Sequence, residues 1–554
     1  MDKRASAAFV LIYFVLFIAG IAALFHGFPD TERFFAEWMD ERITLTTIMK
    51  FGTLNFAPTQ IMHPPLYHYL TFIPIALFFA TGKLIGFFHD KMDFVRFYFN
   101  NTHYFFFIGR LMSYIFYWSA AVFIYRMSRL LYSRTVSHLG VIAYLLIPRF
   151  IFDFSTARPE PLLFLTSSVF FYFFLKYCLD NADSKSLLMS AFMLGVSIAV
   201  KYNAAYLGSA FAILFAQQSV KKRGFDKGLT ILYMKAALLV FLGFFICDPF
   251  FIIQFNKYFH NLRIYGIEMK YYWKGDFGRN HLLELGSLLY LNYLGLAFLA
   301  MGAWNLFKRH RGILAMFFLV TLVYEVYFGI SFKNYAPLRY LNPIMPIAIL
   351  TLSAGIDLML NSYRKALAAL AVFFVIIAYN YFDIWQGMAF GQTHIQKARS
   401  FIEKTVSELS VICIASNNYL PQLSMTRESY DHLVATAPPA GNIEGHELAY
   451  RGLDKESDYD GAFKGLRIEG LAKKPRYNLV RWDGGIITKE QAAGFLRGVK
   501  AEYVVSSTAL ILEGKRLEDT GIASLIKEFR PRNPRIYKAV FSGVDLGVFI
   551  YKVN

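Results

Sequence analysis

Glu160, Lys201 and Lys333 each stand beside the end of an apolar run, and Asp40 stands in the polar stretch between the first two apolar stretches. A charge held at membrane depth is costly and tends to mark a site. Other acids and bases lie close to them in the sequence. Met39-Asp40-Glu41-Arg42 opens a polar stretch that closes at His63-Pro64-Pro65-Leu66-Tyr67. Asp153 to Pro161 carries Arg158 and Glu160, and Lys201-Tyr202-Asn203 forms a third, shorter stretch. Asp248 to His281 holds Glu268, Lys270, Asp276 and Arg279 among Tyr271, Tyr272 and Trp273, and Ser331 to Tyr340 adds Lys333 and Arg339. Carboxylates and cations gathered on one face of a helical bundle suit a cavity for an anionic, polar substrate. The bland alternative is that loops between helices are simply polar. It explains any one of these residues more easily than it explains all of them.

The elements that must position these residues are hydrophobic helices. The chain has 554 residues, 56% of them hydrophobic and 18% aromatic, with a mean hydropathy of +0.39. The apolar residues come in runs of roughly 18–22, the length a helix needs to cross a bilayer. Runs at 7–25, 103–125, 135–152, 161–178, 187–200, 204–218, 229–247, 283–304, 313–330, 341–359 and 366–383 predict about eleven crossings. The first follows Lys3 and Arg4 and lacks a small-residue cleavage site, so it reads as an uncleaved helix with a cytoplasmic N-terminus. Basic clusters at Arg126/Arg129/Arg134, Lys221/Lys222/Arg223/Lys227, Lys308/Arg309/Arg311 and Arg364/Lys365 all fall on that cytoplasmic side under one condition. The apolar stretch Pro64 to Phe88 must lie in the interface or re-enter rather than cross. The candidate site residues then share the outer face.

The net charge of +18 follows from the same topology, since Lys and Arg accumulate on cytoplasmic loops. No basic stripe on a soluble domain points to nucleic acid. Cys178, Cys247 and Cys413 lie far apart and form neither a metal-ligand spacing nor a disulfide framework. Beyond Asp383 the composition turns polar. Lys397 to Ser410 predicts an amphipathic helix; Val411 to Ala415, Tyr503 to Val505 and Val544 to Val553 predict strands. The expected architecture is an α-helical polytopic membrane bundle over residues 1–385 and an outward-facing soluble α/β domain over 386–554.

The motifs resemble those of the GT-C glycosyltransferases, most closely family 39, which includes the dolichyl-phosphate-mannose protein mannosyltransferases and is related to the aminoarabinose transferases. The Asp40-Glu41 pair followed by Pro64-Pro65-Leu66-Tyr67 is similar to the family's first outer loop. Ala157-Arg158-Pro159-Glu160-Pro161 is similar to its second-loop acid segment, and Lys201-Tyr202-Asn203 to its Thr-Lys-Tyr-Asn turn, with Val200 in place of Thr. Arg339-Tyr340-Leu341-Asn342-Pro343 resembles its Arg-Tyr-Leu-x-Pro signature, and Asp248-Pro249-Phe250 stands where the family often has Asn-Pro-Tyr or Asn-Pro-Phe. The resemblance covers about residues 1–385 in order, while the C-terminal domain matches loosely at Ala501 to Val505. It implies a GT-C fold and transfer of a sugar from a polyprenyl-phosphate donor to a lipid, protein or glycan acceptor at the outer membrane face.

In that reading the leaving phosphate is a stable anion that needs cations more than a proton. His63, Lys201, Lys333 and Arg339 are the candidates to bind it. The acceptor hydroxyl is a weak nucleophile, and by resemblance Asp40 takes its proton. Glu41 or Glu160 orients that base or holds sugar hydroxyls. One displacement of this kind inverts the anomeric centre. Tyr272, Trp273 and His281 are candidates for a lid, or for an interfacial aromatic belt. No certain cofactor follows from these residues. A divalent cation stays open, although Ile61-Met62-His63 stands where some relatives place a metal-binding acid. The rival readings are a lipid-linked-sugar transporter or flippase, a non-catalytic binder of polyprenyl-phosphate sugar, and an oligosaccharyltransferase-like enzyme. For the last, Arg481-Trp482-Asp483 resembles a Trp-Trp-Asp motif lacking its first Trp.

Overall fold

A computed structural model of the chain describes residues 3–26, 39–54, 56–58, 64–180, 183–221, 226–260, 263, 293–331, 338–361, 364–389, 394–415, 423, 477–482, 488–506, 510–530 and 548–554. Its helices are, in chain order, α1 (Lys3–Ala23), α2 (Met39–Lys50), α3 (Leu66–Leu84), α4 (Lys91–Asn100), α5 (Thr102–Arg129), α6 (Arg134–Leu145), α7 (Pro148–Phe154), α8 (Glu160–Leu179) and α9 (Ser184–Ile198). There follow α10 (Ser209–Lys221), α11 (Lys227–Cys247), α12 (Phe250–Ile253), α13 (Tyr293–Arg309), α14 (Arg311–Ser331), α15 (Met345–Leu360), α16 (Arg364–Ala389), α17 (His394–Thr405) and α18 (Lys489–Gly498). The chain forms two compact units. One comprises Met1–Ala22, Phe56–Leu70 and Arg110–Trp385, the other Ala23–Asn55, Thr71–Gly109 and Gln386–Asn554.

The protein is a multi-pass membrane protein. Among the described residues six helices are long and apolar enough to cross a membrane: Ser6–Ala23 within α1, α5, α8, α11, Leu341–Leu360 and Leu367–Ala389 within α16. The pair α6 and α7 makes a seventh if counted as one span, bent by 66° at its break. Pro148 causes that break. It opens α7 at the first turn, where its missing N–H is harmless, whereas within a helix it would cost a hydrogen bond and clash with the preceding turn. The apolar run at 204–218 is also divided. It begins as a 3-10 turn, Tyr202–Gly208, and becomes α-helical only at Ser209. The helix from Leu66 to Leu84, within the stretch expected to lie in the interface or to re-enter, is not one of these six.

Helix packing in the first unit relies on close backbone approach. A Cβ on Gly195 would strike the Val240 carbonyl oxygen, and one on Gly243 would strike that of Phe192, so α9 and α11 touch main chain to main chain. Gly302 and Gly355 do the same for α13 and α15, against Thr351 and Phe298. Lipid is as apolar as a leucine side chain, so such contacts stabilise a bundle through packing rather than through escape from water. Helix starts are set by side-chain caps. Asp183 accepts from the Ser186 N–H at 3.1 Å and Asp226 from the Leu229 N–H at 3.0 Å.

In the second unit Leu45 and Ile48 of α2 pack with Ile75, Tyr98, Phe105 and Phe106. The same unit holds a five-stranded sheet in the order β2 (Asn478–Arg481), β1 (Val411–Ala415), β3 (Tyr503–Ser506), β7 (Val548–Val553), β6 (Ala523–Phe529). Strand β1 runs parallel to β2 and β3, and β7 antiparallel to β3 and β6; β4 (Ile511–Leu512) and β5 (Lys515–Arg516) form a separate antiparallel pair. The predicted strands are present, with β7 beginning at Val548. Cys413, Leu496, Val504, Phe549 and Tyr551 form the core behind the sheet. Here burial removes apolar surface from water, about 1.5–3 kcal/mol for each large side chain. Burial also pushes the Cys413 thiol up to about 12, so it is a core residue and not a nucleophile. Trp482 packs in that core, 5.9 Å from the Phe495 ring, which gives it a structural role.

Candidate active site

The first unit brings five separated motif segments together around a line of buried charges. α7 places Arg149 and Asp153 one turn apart, with Arg149 Nε 3.9 Å from Asp153 Oδ2. Arg158 Nη1 lies 3.9 Å from Asp153 Oδ1, and its Nε lies 3.6 Å from Glu160 Oε2. Glu160 is the first residue of α8, where a helix N-terminus favours a carboxylate. Its Oε1 accepts a hydrogen bond of 3.0 Å from Lys201 Nζ. Asn342 Nδ2 approaches Asp153 Oδ2 at 3.5 Å. All five charged side chains are buried. They comprise three cations and two carboxylates, so the line carries an excess of positive charge that suits an anion.

The surrounding backbone holds this line in place. The Ser113 hydroxyl on α5 donates to the Arg158 carbonyl and accepts from the Arg158 N–H, both at 3.3 Å. Ser113 Oγ also bonds the Tyr67 hydroxyl at 2.8 Å. The Leu66 N–H donates to the Ala199 carbonyl at 3.3 Å. The Pro-Pro-Leu-Tyr segment is thus tied to both the second-loop segment and the turn that presents Lys201. Leu66, Tyr67, Leu162, Leu163, Ala199, Val200, Ala204 and Phe244 pack as one hydrophobic cluster beneath it. Arg158 also lies over the Phe152 ring at 5.0 Å, a contact that strengthens when desolvated.

The fifth segment ends α11. The Asp248 carboxylate accepts from the Tyr258 hydroxyl at 3.0 Å. Burial pushes its carboxyl up to about 6, against the opposing pull of Tyr258 and the Phe251 N–H. Tyr69 and Tyr202 both feel its charge. Asn203 Nδ2 donates to the Tyr324 hydroxyl at 2.9 Å, which fixes the far side of the Lys201 turn.

Of the residues expected from sequence, Glu160 and Lys201 are brought into direct contact. Glu41 is buried on α2 in the second unit. Asp40 lies in the first turn of the same helix, and Arg339 in a 3-10 segment, Leu338–Ile344; the side chains of both lie outside the described residues. His63, Lys333, Tyr272, Trp273 and His281 also lie outside them. Arg149, Asp153 and Asn342 were not singled out. The expectation that Asp153 lies in a loop is corrected: it is helical and buried, because Pro148 restarts a helix before it. Arg110, fully buried on α5, was also missed, although a lone arginine within an apolar run is itself a signal. Among the described residues no group of three or more His, Cys, Asp or Glu side chains could hold a metal ion.

Residues 103–246 match the family model of the dolichyl-phosphate-mannose-protein mannosyltransferases. That segment contains Ser113, Arg149, Asp153, Arg158, Glu160 and Lys201. The likeness to the GT-C superfamily membrane glycosyltransferases, read first from the motifs, is borne out by this match. No curated protein matches the chain by sequence. Among solved structures, the chain is similar to the Archaeoglobus fulgidus oligosaccharyltransferase in the apo form, with 12% identity and a TM-score of 0.45 over 90% of this chain and 69% of that one. It is also similar to ArnT from Cupriavidus metallidurans in the apo state, with 11% identity and a TM-score of 0.46 over 99% and 98% of the two chains. The same ArnT bound to undecaprenyl phosphate gives 12% identity and a TM-score of 0.45 over the same shares.

Proposed function

We propose that the chain is an inverting glycosyltransferase that moves a sugar from a polyprenyl-phosphate donor to an acceptor hydroxyl on the outer face of the membrane. The observation that carries this reading is the buried line Arg149–Asp153–Arg158–Glu160–Lys201 within the segment that matches the mannosyltransferase family. Its excess of cation answers the leaving phosphate. In the reaction the bond between the anomeric carbon and the phosphate oxygen breaks, and the phosphate leaves with the electron pair. A bond forms from the acceptor oxygen to the anomeric carbon on the opposite face, and the acceptor proton passes to a carboxylate. The motif assigns that carboxylate to Asp40, with Glu41 as its neighbour.

Lys201 serves as a point charge for the phosphate, and Glu160 fixes where that charge stands. Arg158 offers a planar fork of donors. Arg339, Lys333 and His63 join as phosphate ligands by motif, and Tyr272, Trp273 and His281 as a closing segment. The N-terminus is cytoplasmic and the C-terminal sheet domain lies outside, where it meets a lipid, protein or glycan acceptor. Asp40→Asn is the direct test. Transfer of labelled sugar from polyprenyl-phosphate donor falls by about 10²–10⁴-fold, as for loss of a general base, while donor binding and expression persist. Full retained transfer removes Asp40 as the base. A flippase or a non-catalytic binder would give no sugar–acceptor product with either protein.

A further inference from the structure

A second polar group in the first unit has open hydrogen-bonding capacity and no part in the charge line. Asp248 follows the last residue of α11 and is turned by Pro249. Its backbone N–H still donates to the Phe244 carbonyl at 2.8 Å, so the residue is held at a fixed height on the helix end. The side chain is fully buried. One carboxylate oxygen accepts from Tyr258. The other, Oδ2, has no hydrogen-bond partner among the described residues.

Two more buried polar atoms nearby share this state. Tyr202 Oη, which feels the Asp248 charge, and Gln254 Oε1, six residues beyond Asp248 at the end of α12, also lack hydrogen-bond partners among the described residues. Native proteins satisfy most buried polar groups, and each open one calls for an explanation. Three open atoms on two converging segments, two of them pure acceptors, call for a ligand that brings several donors. The same segments supply aromatic faces: Phe251 and Tyr258 lie 5.3 Å apart between ring centroids. Acceptors spaced among aromatic rings suit a ring bearing several hydroxyls.

We infer that Asp248, Tyr202 and Gln254 form a recognition subsite for the hydroxyl groups of the donor's sugar ring. This rests on the reading of the chain as a user of polyprenyl-phosphate sugar. Tyr202 follows Lys201 directly, so the subsite adjoins the cation assigned to the phosphate. The charge line grips the phosphate, and the Asp248 group reads the sugar.

The test uses the full-length protein in lipid nanodiscs. Two families of probe are titrated: undecaprenyl phosphate alone, and undecaprenyl phosphate carrying mannose, glucose or galactose. The wild type prefers at least one sugar-bearing probe to the bare lipid by about tenfold or more. Asp248→Asn keeps the shape but turns one oxygen into a donor, and it abolishes that preference. Tyr202→Phe weakens it by about 3–10-fold, because the partner hydroxyl goes unmet. In both variants affinity for the bare lipid stays within about twofold of wild type. If Asp248→Asn retains the preference, or if both probes weaken together, the subsite is refuted. A wild type that binds the bare lipid without any sugar preference refutes it as well and leaves the phosphate reading standing. A wild type that binds no probe of either kind overturns both.

Discussion

The antiparallel pair α8 and α9 carries an ion pair at each end, and the two differ in everything except distance. At one end Lys201 Nζ stands 3.0 Å from Glu160 Oε1, and both side chains are about 95% buried. At the other, Lys176 Nζ stands 2.8 Å from Asp183 Oδ2, with Lys176 46% exposed. The two ends are separated by roughly 24 Å along α8, at 1.5 Å per residue. The exposed pair sits where α9 begins, and Asp183 also caps that helix. Its role is local. The buried pair continues into Arg158, Asp153 and Arg149, and burying it brings a desolvation cost that packing alone would not require. Contact distance therefore says little about what an ion pair is for. Burial and the company it keeps separate the proposed site from a helix end.

That contrast is most easily broken at Lys201. Lys201→Met leaves Glu160 buried without its hydrogen-bonded cation and should cost about 3–5 kcal/mol of stability, with transfer reduced by about 100-fold or more. Thermal unfolding and a labelled-donor assay read the two effects. The double variant Glu160→Gln/Lys201→Met sharpens the point. Stability should recover part of that loss, since Glu160 is no longer a stranded charge and Arg158 keeps Asp153 as its partner, while transfer stays lost. Recovery of transfer in the double variant would make the pair structural, like its counterpart.

A smaller effect comes from a site that shapes the bundle without charge. Gly302→Ala forces a methyl group against the Thr351 carbonyl and should cost about 1–3 kcal/mol, read as a lowered unfolding temperature with donor affinity unchanged. The smallest effect belongs to the exposed pair. Asp183→Asn should shift the unfolding temperature by no more than about 2 °C and leave transfer intact. Hydrogen bonds from Lys176 and Ser186 hold the Asp183 carboxyl at about 2, below its usual 3.8. The folded state thus favours the ionised form. Its contribution is full above about pH 4 and is lost as pH falls through about 2. Thermal scans of wild type and Asp183→Asn over that window should converge at the acid end.

Much of the helix order was legible because apolar runs of membrane length leave few alternatives. The runs at 103–125, 161–178, 229–247 and 366–383 correspond to α5, α8, α11 and α16 with ends displaced by a few residues. Strand β1 was legible to the residue, since Val411 to Ala415 is bounded by polar sequence. Local breaks were harder. A proline can end a helix or begin one, and Pro148 does both within six residues of Asp153. The motifs pointed to Glu160 and Lys201 individually. That one is the other's partner depends on α8 and α9 running antiparallel in contact, which periodicity does not specify. Asn342 and Ser113 were illegible for a similar reason, because a neutral polar residue in an apolar run becomes informative only once its neighbour is known.

The Ser113 hydroxyl holds both the N–H and the carbonyl of Arg158, two residues before α8 begins. The chain between that clasp and Glu160 is therefore of fixed length. Adding a single residue there would either pull the clasp open or turn the start of α8 by about 100°, swinging Glu160 away from Lys201. Most connections between helices tolerate gain or loss of a residue. The link through Pro159, from the Arg158 clasp to Glu160, is one where length itself is under constraint, and natural variants of this protein should differ there by substitution and not by insertion.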